Sequence, residues 1–266
     1  MKTNRRLLSI PYGIFLALFV VFPLIVIIYY AFTDQTGAPS LQNLFHFFTS
    51  SNHVGTLVYS LSIAITTTLV CLILGYPLAY ILARSKRPGV QIILLLIVMP
   101  MWINFTLRIT ALKEILTLVE GNLSFHPYLN TVIGMTYDFL PFMILPMYNS
   151  LAKLDESLIE AAHDLGAGAF GTFIKVILPL SVPGIISGIV MVFLPSMTNY
   201  VVLDMLYNKT YIMGSLIGAY FNAYDWHNGS MISLILLALI VLITIFSNRY
   251  GEEDEKGGAV LNAKNN

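Results

Sequence analysis

The chain has 266 residues, of which 57% are hydrophobic and 11% charged, with a mean hydropathy of +0.77. A soluble domain carries about a quarter charged and at most about half apolar residues, so this composition excludes disordered and collagen-like chains and points to surface facing lipid. Lys+Arg (14) balance Asp+Glu (14), which gives no support to a nucleic-acid-binding surface, and the single cysteine, Cys71, permits neither an internal disulfide nor a cysteine-built metal site.

A helix crossing about 30 Å of hydrocarbon needs roughly 20 mostly apolar residues. Uncharged stretches of that length occupy 7–33, 54–83, 88–107, 176–203 and 226–248, and a sixth, 128–152, is interrupted by Asp138. Lipid offers the backbone no hydrogen-bond partner, and continuous apolarity contradicts the alternation of barrel strands. The expected fold is therefore an all-α membrane protein with six transmembrane helices, at about 9–32, 54–83, 89–107, 128–152, 180–203 and 228–248. Lys2, Arg5 and Arg6 precede the first span. The apolar run after them is longer than a signal-peptide core and contains Pro23, so an uncleaved span is expected.

The basic residues set the orientation. A cytoplasmic N-terminus puts Lys2, Arg5, Arg6, Arg84, Lys86, Arg87, Lys153, Lys175, Arg249, Lys256 and Lys264 inside and leaves only Arg108, Lys113 and Lys209 outside. Both termini are then cytoplasmic, as short tails at 1–8 and 249–266. The run Glu252, Glu253, Asp254, Glu255 counts little in this rule, and the second tail reads as a solvated, mobile end. The external loops fall at 34–53, 108–127 and 204–225, with 107–119 patterned as an interfacial helix. No internal repeat is evident, which argues against transporters built from inverted repeats.

The largest cytoplasmic loop, 153–179, is the most informative segment. Ser157 with Glu160 fits a capping box, and Asp155 is the alternative cap. Leu158, Ile159, Ala162 and Leu165 form one apolar face, Gly166 is a left-handed stop, and Ala169, Phe170, Phe173, Ile174 and Ile177 form a second face ending near Pro179. Periodicity alone fits a connector lying on the inner leaflet as well as a docking element.

The spacing shifts the balance toward docking. Glu160-Ala161-Ala162, three residues, Gly166, nine residues, Val176, one residue and Leu178-Pro179 resembles the EAA motif of ABC-importer permeases, with Val176 where isoleucine is usual. From about residue 10 to 248 the chain is most similar to the spermidine/putrescine permeases. Gly75-Tyr76-Pro77-Leu78-Ala79, Trp102-Ile103-Asn104 with Arg108, Leu140-Pro141-Phe142-Met143, Pro146-Met147-Tyr148, Ala162-His163-Asp164-Leu165-Gly166-Ala167 and Asp225-Trp226 carry that likeness. The resemblance implies a type I, MetI-like permease in the cytoplasmic membrane of a prokaryote. It further implies a second permease subunit, two copies of a cytoplasmic ABC ATPase, an extracytoplasmic substrate-binding protein and a polyamine substrate. Glu160, Ala161, Ala162, Asp164, Gly166, Val176, Leu178 and Pro179 would then couple the ATPase to transport. The chain has no G-x-x-x-x-G-K-[ST] phosphate loop, so no cofactor is expected on it and ATP-Mg belongs to the partner ATPase.

A polycation path calls for carboxylates with aromatic walls. Asp204 with Tyr200 and Tyr207, and Asp225 with Tyr224 and Trp226, have that character, although interfacial aromatics and helix-capping aspartates are ordinary in membrane proteins. Asp138, inside a span, faces a cavity or partner unless its helix begins later. Trp102, Asn104 and Arg108 cluster at the outer end of the third span. Arg108 would repel a polycation, so it reads as an interfacial anchor, an ion-pair partner or a contact to the binding protein. An intramembrane enzyme has no H-E-x-x-H zinc motif or recognisable catalytic pair to support it. A stand-alone channel is disfavoured by the docking loop. A permease for another small solute remains the main alternative.

Overall fold

The computed structural model describes residues 11–85 and 87–263, with side chains described to residue 245 and at 247. The expected tail at 1–8, and the side chains of the tail at 249–266, lie outside the described residues. Helices run over Pro11–Ala31 (α1), Gln42–Thr49 (α2), Ser51–Arg84 (α3), Val90–Val98 (α4), Phe105–Glu120 (α5), Pro127–Ala152 (α6), Glu156–Asp164 (α7), Ala169–Thr198 (α8), Tyr200–Met205 (α9), Met213–Asn222 (α10) and Trp226–Ala263 (α11). Among the described residues the only β pairing is an isolated bridge between Thr33 and Pro39. Four helices (α1, α3, α8 and the Trp226–Ile245 part of α11) are long and apolar enough to cross a membrane, which makes this a multi-pass membrane protein.

The third expected span, 89–107, is not one straight helix. A 3₁₀ turn at Met99–Trp102 ends α4, and the chain bends by 100° into α5. Pro100 removes a backbone donor. Asn104 then starts a new helix, its side chain accepting the Thr106 N–H at 2.9 Å. If α4 and α5 form one broken span, the count of crossing elements is five. The sixth candidate, α6, is a continuous 26-residue helix that holds Asp138 in its middle, so Asp138 is not at a late-starting helix end.

Two prolines that should stop helices are accommodated in the same way. A proline ring clashes with the carbonyl four residues back and offers no N–H. A π turn at Ala17–Val21 lets Phe22 N–H reach the Ala17 carbonyl just before Pro23, and a second at Phe173–Ile177 lets Leu178 N–H reach the Phe173 carbonyl just before Pro179. The widened turn moves the obstructing carbonyls aside. The second apolar face of the 153–179 loop therefore does not end near Pro179. It continues without a break into a 30-residue helix reaching Thr198, with Asn199 separating it from α9.

Contacts divide the chain into two units, Met1–Val58 with Tyr211–Ile240 and Tyr59–Thr210 with Val241–Asn266, so α3 and α11 contribute to both. In the first unit Phe47 is buried against His53, whose Nε2 lies 2.6 Å from Tyr220 Oη, and Asn43 donates to the carbonyls of Ala31 and Thr33. The second unit is built on α6 packed against α8. A side chain on Gly184 would place its Cβ 2.5 Å from Ser150 Cβ and 2.9 Å from the Pro146 carbonyl oxygen, so only glycine permits that approach. Polar groups buried there find partners across helices, as in Tyr76 Oη to Ser181 Oγ at 3.0 Å and Asn208 Nδ2 to Thr131 Oγ1 at 2.8 Å.

Candidate functional site

The 153–179 segment folds into a short helix, a left-handed turn and the start of α8. Asp155, not Ser157, is the cap of α7: its carboxylate accepts the Ser157 N–H at 3.0 Å. Those hydrogen bonds from Ser157 hold the Asp155 carboxyl below its ordinary value. At the other end, Gly166 N–H donates to the His163 carbonyl and Ala167 N–H to the Ala162 carbonyl, the paired bonds of a Schellman stop. Gly166 has φ +84, a conformation open to glycine and costly for a β-branched residue. His163 reinforces the turn, its Nδ1 donating to the Ala167 carbonyl at 3.0 Å.

This hairpin presents apolar surface that its own chain does not cover. Leu165 is 89% exposed and Phe170 76%, and Leu158 and Ile174 are exposed beside them. Glu160, Ala161 and Asp164 are exposed on α7, and Ala162 is half-buried. Val176 and Leu178 are half-buried where α8 leaves the hairpin, and Pro179 is exposed. Such a patch, rimmed by polar residues, has the physical character of an interaction surface, toward a protein or toward the membrane.

Arg108 and Asp138 have the opposite character. Arg108, in the first turns of α5, is 7% exposed, Asp138 in α6 is 3% exposed, and the two form an ion pair. Arg108 Nε and Nη1 are buried with no hydrogen-bond partner. Of the three roles open to Arg108 from its sequence, ion-pair partner is the one its geometry displays. Asp138 is paired with Arg108, so its charge is balanced within the chain. Trp102 and Asn104 do not join the pair: Trp102 is 81% exposed and Asn104 caps α5.

The remaining acidic candidates lie in different units. Asp204 is exposed near the end of α9, with Tyr200 exposed at the start of that helix. Tyr207 is already occupied by a cation of its own chain, Lys113 Nζ, 4.3 Å from its ring centroid. Asp225 caps α11, accepting the Asn228 N–H at 3.1 Å and the Asn228 side-chain amide at 2.8 Å. Trp226 packs on Phe221 and lies 6.5 Å from the Tyr30 ring.

Asp225 also lines a cavity of approximately 380 Å³ with Asp34, His46, His227, Asn43 and Asn228. Asp34 had no role from sequence. Its Oδ1 accepts from Thr36 Oγ1, Thr36 N–H and Ala38 N–H, and these bonds, the Thr36 hydroxyl foremost, lower its pKa. His227 Nδ1 donates to the Tyr30 carbonyl. Residues 11–58 and 211–240 contain no Lys or Arg at all, and Asp34 and Asp225 are their only acidic residues. That absence of cations was the readable signal for this cavity. No group of three or more metal-ligating side chains occurs among the described residues.

The chain is thus an all-helical, multi-pass membrane protein with an exposed apolar hairpin between two of its helices. Residues 75–251 match the family described as "Binding-protein-dependent transport system inner membrane component", and the chain belongs to that family. It is 35% identical over 255 residues to the spermidine/putrescine transport system permease protein PotB of Escherichia coli (strain K12), covering 86% of this chain and 91% of that one. Its fold resembles a chain of the bacterial alginate ABC transporter in complex with an alginate pentasaccharide-bound periplasmic protein, with a TM-score of 0.73 at 13% identity over 92% of this chain and 93% of the other. It also resembles a chain of the MetNI methionine ABC transporter, with a TM-score of 0.57 at 18% identity over 77% and 99%. The MetI-like likeness expected from the 153–179 spacing is thus found in the fold.

Proposed function

We propose that the chain is a permease subunit of an ATP-driven importer for polyamines of the spermidine/putrescine class, in the cytoplasmic membrane of a prokaryote. Its partners are a second permease subunit, two copies of a cytoplasmic ABC ATPase and an extracytoplasmic binding protein. The chain itself is non-catalytic, and ATP-Mg binds the ATPase. In this reading six segments cross the membrane and both termini are cytoplasmic. The α4–α5 pair counts as one broken span, and α6 crosses with Asp138 neutralised by Arg108.

The observation that carries the coupling role is the exposed hairpin of Leu158, Leu165, Phe170 and Ile174 around Gly166. An apolar surface of this kind suits a covering protein or the bilayer surface, and the likeness to ABC-importer permeases favours the protein. Closure of the ATPases would push on α7, and the unbroken α8 would carry that displacement toward Thr198 as a rigid element. Glu160 and Asp164 would provide polar rim contacts, and Gly166 fixes the angle between the two arms.

The polyamine assignment is supported by the likeness to PotB along nearly the whole chain. The unneutralised Asp34 and Asp225 on one cavity, beside Trp226 and Tyr30, suit an alkylammonium group. Asp204 with Tyr200 is the other path candidate. ATP hydrolysis by the reconstituted importer with its binding protein, measured against spermidine, putrescine, sulfate and a neutral sugar, tests the substrate class. Stimulation by the two polyamines alone is expected, and stimulation by sulfate or sugar instead would overturn the assignment.

A further inference from the structure

We propose that Phe173 passes the displacement of the coupling hairpin to α3, flexing that helix at Pro77, and so acts as a positioning residue for transport. The proposal rests on the coupling role argued above and adds α3 to α8 as a recipient of the motion.

The contact is a clamp of three rings. The Phe173 ring stands nearly perpendicular to two rings of α3, Tyr76 at 5.9 Å and 81° and Tyr80 at 5.7 Å and 84°. Aromatic pairs favour edge-to-face arrangements at such separations. Tyr76 and Tyr80 lie one helical turn apart, with Pro77 between them inside α3. Pro77 offers no N–H to the Ile73 carbonyl, so this turn is where α3 bends most readily. Phe173 therefore contacts α3 on both sides of its weak point. These residues all belong to one unit.

The π turn at Phe173–Ile177 aims Phe173 at this place. Farther along α8, Ser181 Oγ donates to the Leu178 carbonyl at 2.9 Å. A serine hydroxyl has one proton, so in the 3.0 Å bond between Tyr76 Oη and Ser181 Oγ the tyrosine donates. Eight residues of regular α-helix would leave positions 173 and 181 about 80° apart around the axis. The extra residue held in the π turn takes up roughly that angle, so Phe173 and Ser181 meet the same tyrosine. The wide turn thus clears Pro179 and sets the clamp together. Phe170, 76% exposed on the uncovered hairpin surface, lies three residues before Phe173, which is half-buried. A push on the hairpin reaches the clamp within one helical turn.

The test uses the assembled importer in proteoliposomes, with spermidine imported per ATP hydrolysed as its first readout. Phe173→Leu keeps an apolar side chain without the ring, and that ratio should fall roughly fivefold. Phe173→Tyr retains the ring and should stay close to wild type, which separates the ring contact from general packing. The second readout needs no transported solute. Spin labels at Ile65→Cys and Ile81→Cys, two exposed positions of α3 on either side of Pro77, stand about 24 Å apart along the helix. Cys71 is fully buried and out of the label's reach. Trapping the ATPase with ATP and vanadate should shift the label separation by on the order of 2 Å with Phe173 in place, and leave it unshifted in Phe173→Leu. No shift with Phe173 in place, an equal shift in Phe173→Leu, or a wild-type import ratio in Phe173→Leu would overturn the proposal. Failure of the coupling role itself shows separately, as a wild-type ratio in Gly166→Val, and failure of the polyamine assignment leaves the label readout standing.

Discussion

The Arg108–Asp138 crossing and the hairpin around Gly166 are both built from ordinary helices, yet one pairs its charges within the chain and the other leaves apolar side chains uncovered. At the crossing, two charges that could not stand alone in an apolar interior are buried against each other. At the hairpin, Leu165 and Phe170 are left exposed by their own chain. The contrast teaches how to assign a role to a conspicuous residue. A buried charge paired within its own chain has a structural reading ready to hand, and a well-formed turn that holds apolar side chains outward has the character of an interaction surface.

The sharpest way to break this contrast is to remove one member of the pair. Arg108→Met or Asp138→Leu alone leaves a buried, uncompensated charge and should destabilise the chain by about 3–5 kcal/mol, whereas the double substitution should recover most of that loss. Thermal unfolding of the four proteins in detergent completes the cycle. If the double variant is stable but transport is abolished, Asp138 has a role in the path that its pairing conceals.

Legibility in the sequence followed the same division. The long apolar helices were readable because lipid imposes their length, although the Trp226 helix runs on past the expected boundary near 248 to Ala263. The Gly166 turn was readable because a left-handed stop is a local event carried by a few adjacent residues. The cap was read as two alternatives, since Asp155 and Ser157 both have the chemistry, and the structure uses Asp155. The pairing of residues 108 and 138 is tertiary, and no spacing rule connects them. The continuity of α8 through Pro179 was hidden because a π turn leaves no signature in composition. Asp34 was overlooked because it sits in a loop, where aspartate is unremarkable, and only its cavity partner Asp225 makes it significant.

The cavity shared by Asp34 and Asp225 offers a second open region with which to sharpen the comparison. Asparagine retains the turn at position 34 and the cap at position 225 while removing the charges. Asp34→Asn with Asp225→Asn should raise the half-saturating spermidine concentration roughly tenfold, with unfolding temperature unchanged, as expected for the loss of charge-assisted contacts. Asp138→Asn should act mainly on stability. An unaltered concentration dependence in the double asparagine variant would remove the cavity from the path.

The smallest effect concerns the hairpin's own cap. The Asp155 carboxyl is held below its ordinary value of 3.8, so the charged form is bound more tightly in the folded helix. The cap's contribution is therefore fully present above that value and is lost as pH falls through the lowered one. The protection of the α7 amides against exchange, taken relative to their intrinsic rates at each pH, should fall on acidification over that window in the wild type, and Asp155→Asn should lack this dependence.

The central claim, that an outward-facing hairpin fixed by Gly166 transmits ATP hydrolysis to transport, is tested most directly by Gly166→Val. Its Cβ would meet no neighbouring atom, so the substitution strains the backbone at φ +84 without disturbing packing elsewhere. Measured in proteoliposomes as solute imported per ATP hydrolysed, the variant should insert and unfold like wild type while that ratio collapses. A wild-type ratio in a properly inserted Gly166→Val protein would contradict the account.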